Sequence, residues 1–124
     1  MKLGAGLLFV LLLLAACADP TIHPVGAAHY EPLPPGSVVR VFLAESDVHQ
    51  PFAVVAVIRT TRKDKSQTPE LDDVIPEIQE KARTVGADGV IIDATDPVRS
   101  HILTMGITVS ARAIRLEPAA AGIE

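Results

Sequence analysis

An unbroken apolar run near the amino terminus constrains this chain most, because such a run must be removed, span a membrane or be buried. Residues 7–14 read LLFVLLLL after a single early charge at Lys2, and 13 of the first 16 residues are hydrophobic. The stretch is shorter than the roughly 20 residues of a membrane-spanning helix, and it lacks the period of an amphipathic helix. A positive start, a short apolar core and small residues before a cut predict a secretory signal over residues 1–16.

The end of this run, Leu14-Ala15-Ala16-Cys17, resembles the lipobox of bacterial lipoproteins. The resemblance implies cleavage between Ala16 and Cys17, diacylglycerol on the Cys17 thiol and, in many bacteria, a further acyl chain on the new amine. Two or three acyl chains anchor a protein stably on a bilayer, whereas one holds it only marginally. Cys17 is the single cysteine of the sequence, so an internal disulfide is excluded and the alternative is a free thiol in an oxidising compartment.

The residue after the lipidated cysteine bears on the destination of the protein. By analogy with enterobacterial lipoproteins, an aspartate at that position favours retention in the inner membrane. Ala18 occupies it here, with Asp19 one position later. We therefore expect a lipid-anchored envelope protein at the outer membrane, facing the periplasm.

The mature chain divides by composition. Five of the ten prolines fall within residues 18–36, which show no apolar period and favour an extended conformation. We predict a lipidated cysteine and proline-rich tether over residues 17–36, one small domain over residues 37–117, and a flexible tail over residues 118–124.

Apolar patterning within the domain predicts an α+β fold of order β-β-α-β-β, with one helix packed on a four-stranded sheet. A stripe at helical spacing predicts a helix that is capped by Asp72 or Asp73, includes Pro76 in its first turn and ends at Gly86. Short β-branched runs and one stretch of strict alternation predict the strands. The predicted strands span residues 38–43, 52–58, 90–93 and 103–113.

The strand at residues 52–58 is apolar on both alternating faces, whereas a single helix covers only one face of a sheet. A packed loop, the tether, a second copy or a partner protein is therefore needed on the other face. Ile114 and Leu116 fall out of phase with the preceding alternation, which predicts a β-bulge near Ala113.

The sequence EKARTVGADGVII at residues 80–92, with residues 39–42 and 51–57, resembles a pattern of small envelope and cytosolic domains. Among these are the RcsF-like outer-membrane lipoproteins and the YbjQ-like domains, and the resemblance covers about residues 37–116. For the RcsF-like proteins it implies sensing of envelope damage by a change of partners, although those proteins are braced by disulfides that this chain cannot form. For the YbjQ-like domains it implies self-assembly, with no established chemistry.

Residues that could carry chemistry are few. The four histidines are His23, His29, His49 and His101. Their spacing is not that of metal ligands on a helix, although His49 and His101 could approach Asp93 or Asp96 in space. The carboxylates Asp88, Asp93 and Asp96 flank a predicted strand, where turn and cap roles explain them. No nucleophile elbow, phosphate-binding loop or zinc-protease motif occurs. We predict no catalytic residue, no metal site and no cofactor.

A basic segment follows the second predicted strand, in what the pattern indicates is a loop over residues 59–67. Its cations are Arg59, Arg62, Lys63 and Lys65, with only Asp64 opposed. Two interpretations stay open: a solvated loop facing the acidic helix start, or a surface that contacts anionic lipid headgroups.

A net charge of −4 argues against a nucleic-acid binder. We expect a non-enzymatic envelope protein, held on the membrane by Cys17, that acts through an envelope protein partner or homo-oligomer, with envelope stress as one setting. The alternative is a periplasmic lipoprotein that binds a small ligand or a metal.

Overall fold

The computed structural model describes residues 20–26, 29–64, 67–99 and 105–118. The predicted signal, Cys17, Lys65, His101 and the tail beyond Pro118 lie outside these ranges. In chain order the elements are β1 (Ile22–Pro24), β2 (Arg40–Phe42), a 3₁₀ turn (Glu45–Asp47), β3 (Phe52–Asp64), α1 (Leu71–Thr84), β4 (Gly89–Arg99) and β5 (Met105–Leu116). Across the described ranges, no helix combines the length and the apolar character needed to cross a membrane.

The strands form one mixed sheet in the order β1-β3-β5-β4-β2. Neighbours are antiparallel except β2 and β4, which are parallel. The α+β class and the single helix on the sheet are confirmed, but the prediction of four strands is wrong because the sheet of the described residues has five.

The additional strand comes from the segment predicted as a tether. In β1, Ile22 pairs with Ile58 of β3, and the Ile22 side chain packs against the core. Farther along, the amide of Leu33 donates to the carbonyl oxygen of Arg83 at 2.8 Å. The open edge of β3 has hydrogen-bonding groups to satisfy, and any extended segment nearby can satisfy them. This part of the chain therefore belongs to the domain, which the sequence did not predict.

The predicted loop over residues 59–67 and the connection expected between the predicted strands at 90–93 and 103–113 are strand over residues 59–64 and 94–99. β3 continues to Asp64 and β4 to Arg99, each paired with β5. The apolar signal stops where the strands leave the core, but the backbone ladder continues with polar cross-strand pairs. One such pair joins the hydroxyls of Thr61 and Thr108 at 2.8 Å.

The helix begins within two residues of its predicted start and ends where predicted. Its N-cap is Glu70 rather than Asp72 or Asp73, and Asp73 completes a capping box by accepting from the Glu70 amide at 2.8 Å. Pro76 therefore lies in the second turn, not the first, where it removes one helical hydrogen bond. Gly86 stops the helix at φ +76°, in the left-handed region that glycine adopts most readily.

The main core lies between α1 and one face of the sheet, the helix face. Val74, Ile78 and Ala82 of α1 are buried there against the central strands. The sheet side of this core is formed by Ala56, Ile58, Val90, Ile92, Val109, Ala111 and Ala113.

A second cluster, formed by Phe42, Ile91 and Ile114, covers one end of the opposite sheet face, the outer face. Val48 from the connection between β2 and β3 packs against it, so a packed loop supplies part of the second cover. Ile114 was out of phase because it belongs to this cluster. The register shift predicted near Ala113 is present, but its extra residue is Val55 of β3, and β4 carries a second shift between Ile92 and Ala94.

Candidate functional site

The amino-terminal chain joins the sheet at a well-defined point, which we call the entry edge: Pro20 and Thr21 together with residues 59–64 of β3. The amide of Arg59 donates to the carbonyl oxygen of Thr21 at 3.0 Å, and the amide of Val25 donates to the carbonyl oxygen of Val55 at 2.8 Å. Both ends of β1 are thus held against β3.

Lys81 of α1 also holds the amino-terminal chain at the entry edge. Its ammonium group donates to Thr21 Oγ1 at 2.6 Å and to Thr60 Oγ1 at 3.1 Å, and it pairs with Glu77 at 3.3 Å. Thr60 is 2% exposed, so this bond satisfies a hydroxyl that water hardly reaches. The Glu77–Lys81 pair follows from the i,i+4 spacing of the sequence, but the burial of Lys81 does not, because β1 was not predicted.

Beyond its pairing with β1, β3 presents a basic strand. Arg59, Thr61, Arg62 and Lys63 are all exposed, and no exposed carboxylate occurs between Arg59 and Lys63. Arg62 turns to the helix face and donates to the carbonyl oxygen of Asp73 at 2.9 Å. Within the described ranges, the edge of β3 past Arg59 has no partner strand. Arg59, Arg62 and Lys63, which were predicted on a loop, therefore lie on a sheet edge.

The opposite side of the sheet ends in β2, which we call the far edge with its neighbours Val38 and Leu43. These two side chains are 79% and 66% exposed, although most of the other large apolar side chains in the described ranges are buried or half-buried. β2 pairs with β4 on one side only among the described strands. The far edge thus offers apolar side chains and open backbone groups together.

One ion cluster ties the 3₁₀ turn to the outer face. Arg112 Nε and Nη2 donate to the Asp93 carboxylate, each at 2.9 Å in its shorter bond, and Arg112 Nη1 donates to Glu45 at 2.6 Å. Hydrogen bonds to Asp93 and then to Glu45 raise the pKa of Arg112 above its ordinary value. The guanidinium stays charged, and Asp93 is engaged as a structural partner.

The other predicted polar residues are dispersed. The Asp88 carboxylate accepts from the Leu116 amide at 2.7 Å, a turn-stabilising role, and Asp96 is exposed on β4. His23 lies in β1 and His49 in the connection before β3. Among the described residues, no group of three or more histidine, cysteine, aspartate or glutamate side chains is placed to hold a metal ion.

His29 lies at a small pocket of about 150 Å³ between β1, β3 and the end of α1. The pocket is lined by Pro24, His29, Tyr30, Val55, Thr84 and Val85. Its volume is below that of drug-sized ligand sites, which occupy about 300–1,000 Å³.

No protein-family model, no characterised protein and no solved structure matches this chain. Inference about the function of this protein therefore rests on its own sequence and structure.

Proposed function

We propose that this chain is a non-enzymatic lipoprotein of the bacterial envelope, anchored through Cys17 at the outer membrane and facing the periplasm, that works by contact with another protein or a second copy. The observation that carries the proposal is Leu14-Ala15-Ala16-Cys17 at the end of a short, non-amphipathic apolar run. The single cysteine stands at the one position where lipidation requires it.

The arrangement of the sheet supports a contact role for the domain. The amino-terminal chain joins β1, and the far edge is β2, four strand spacings away. Strands lie about 4.8 Å apart, so the two edges are separated by about 19 Å. A partner can therefore reach the far edge while the entry edge is held near a membrane.

The far edge has the properties of a contact surface. An open strand edge can accept a strand of another chain by backbone hydrogen bonds, and adjacent apolar side chains add affinity. Val38 and Leu43 flank β2 in this way. The resemblance to RcsF-like proteins suggests a partner involved in envelope stress, and the resemblance to YbjQ-like domains suggests a second copy.

The anchor is tested by metabolic labelling with palmitate in a bacterial host. Unchanged protein and the Ala18→Ser control are expected to incorporate label, whereas Cys17→Ser is expected to remain unlabelled and uncleaved. Label in the Cys17→Ser protein would contradict lipidation at this residue.

The contact role is tested by placing a photo-crosslinking amino acid at Leu43 in intact cells. A discrete adduct is expected from Leu43 and none from Glu77, an exposed control on α1. The adduct's mass separates a foreign partner from a second copy, and no adduct from Leu43 would contradict a contact at the far edge.

A further inference from the structure

We infer that the entry edge lies directly against the phospholipid headgroup layer, with the exposed cations of β3 facing anionic lipids. This orientation rests on the proposed lipidation of Cys17. The tether between the membrane and the fold is then residues 17–19, much shorter than the tether of residues 17–36 that the sequence predicts.

The length of the tether follows from the first fixed residue of the fold. Thr21 is held by its backbone bond to Arg59 and by Lys81, and Pro20 precedes it directly. Only Ala18 and Asp19 separate Cys17 from Pro20. Three residue steps span at most about 10 Å in any conformation, so acyl chains on Cys17 bring the headgroups within that distance of the entry edge.

Charge on the exposed side of this edge matches an anionic surface. Arg59 and Lys63 alternate with Thr61 on the outer face of β3, and the strand from Arg59 to Lys63 covers about 13 Å. Electrostatic attraction in physiological salt reaches about 8 Å, so these cations interact with anionic headgroups where the strand lies close to the headgroup layer.

Two carboxylates lie near this edge: Asp64 ends β3 and is half-buried, and Glu77 of α1 pairs with Lys81 at 3.3 Å. The acidic start of α1, with Asp72 and Asp73, is on the helix face. Asp96 is on β4, two strand spacings or about 10 Å across the sheet from β3. Arg59 and Lys63 are thus the charged side chains that the outer side of β3 presents at this edge.

The orientation is tested with the lipidated protein, purified from membranes and reconstituted into phosphatidylethanolamine–phosphatidylglycerol vesicles that carry a nitroxide on some headgroups. Lys63→Cys and Ser46→Cys carry the same fluorophore, and Ser46 is the control near the far edge. Because the tether holds position 63 near the headgroups, we expect quenching there to be about twofold stronger or more than at position 46. Equal quenching at both positions would overturn the orientation.

Two further arms separate the causes. A ten-residue Gly/Ser insertion between Asp19 and Pro20 lengthens the tether by about 17 Å and is expected to reduce the difference; an unchanged difference would overturn the short tether as its cause. In vesicles of phosphatidylcholine alone we expect a smaller difference, and an undiminished one would overturn the contribution of Arg59, the exposed outer-face cation that the labelled chain keeps.

Mass spectrometry of the purified protein distinguishes the two proposals. Unmodified Cys17 would overturn the proposed anchor together with this orientation. Modified Cys17 with equal quenching at positions 46 and 63 would overturn the orientation alone.

Discussion

Gly86 shows how one residue holds the amino-terminal segment to the end of the helix. Its φ of +76° ends α1, and its carbonyl oxygen accepts from Arg115 Nη1 at 2.8 Å. The guanidinium of Arg115 also lies over the Tyr30 ring, 5.3 Å from its centre. A Cβ at Gly86 would lie 2.5 Å from the Glu31 carbonyl oxygen and 2.6 Å from Tyr30 Cβ. Helix end and amino-terminal segment therefore share one closely packed point.

Gly86→Ala is expected to lower the free energy of unfolding by about 2–4 kcal/mol, since backbone strain and overpacking add at this position. The control is Gly36→Ala, where φ is +83° but nothing lies within 4 Å of an added Cβ, so about 1–2 kcal/mol of backbone strain is expected. Urea denaturation measures both, and equal losses would show that the approach of Tyr30 does not matter.

Lys81→Met is expected to loosen β1 while leaving α1 intact. The change removes two hydrogen bonds and leaves the Thr60 hydroxyl buried without its donor, at a cost of about 1–3 kcal/mol. Hydrogen exchange of the Val25 and Arg59 amides should speed up, with no such change in exposed Lys63→Met. Unaltered exchange at both amides would mean that Lys81 does not secure the entry edge.

At the scale of elements, the two faces of the sheet are covered by different means. The helix covers one face through a continuous apolar stripe, and a short loop covers one end of the other around Phe42. The three longest strands, β3, β4 and β5, extend beyond the helix and the loop that cover the two sheet faces. The uncovered ends of these strands depend on backbone pairing and polar contacts.

Phe42→Ala tests the smaller cluster. Phe42 is buried against Ile91 and Ile114, and its truncation is expected to destabilise the domain by about 3 kcal/mol. Its exposed neighbour provides the control, because Leu43→Ala should change stability by less than about 0.5 kcal/mol. Thermal or urea unfolding of both variants decides, and a Phe42→Ala loss as small as that of Leu43→Ala would contradict the cluster's contribution.

At the scale of the whole molecule, the segment predicted as a tether is part of the fold. Residues 21–25 complete one edge of the sheet, and residues 30–33 pack at the end of α1. The domain is therefore larger than the sequence predicted, and the segment between Cys17 and the first residue of the fold is correspondingly shorter.

A chain that begins at Gly26 is expected to be less stable by about 2–4 kcal/mol than one that begins at Pro20, because it lacks the β1 ladder and the packing of Ile22. The chain from Pro20 should match a Cys17→Ser chain that lacks residues 1–16. Urea denaturation of the three chains tests this, and identical midpoints for all three would show that β1 adds nothing.

The sequence by itself determined the α+β class, the helix with its glycine stop, and the positions of four strands. These features depend on local interactions: apolar period, turn residues and left-handed glycine act within a few neighbouring positions. The N-cap is Glu70 rather than Asp72 or Asp73, because this helix tolerates Pro76 in its second turn.

Only the tertiary structure decided which segments complete the sheet and what lies at its edges. Ile22–Pro24 became a strand because the edge of β3 required a partner, and Lys81 became half-buried because that strand covers it. The carboxyl-terminal half of β3 extends through charged residues because β5 lies alongside it. Strand pairing joins residues far apart in the chain, and a short or polar segment carries no local period that identifies its partner.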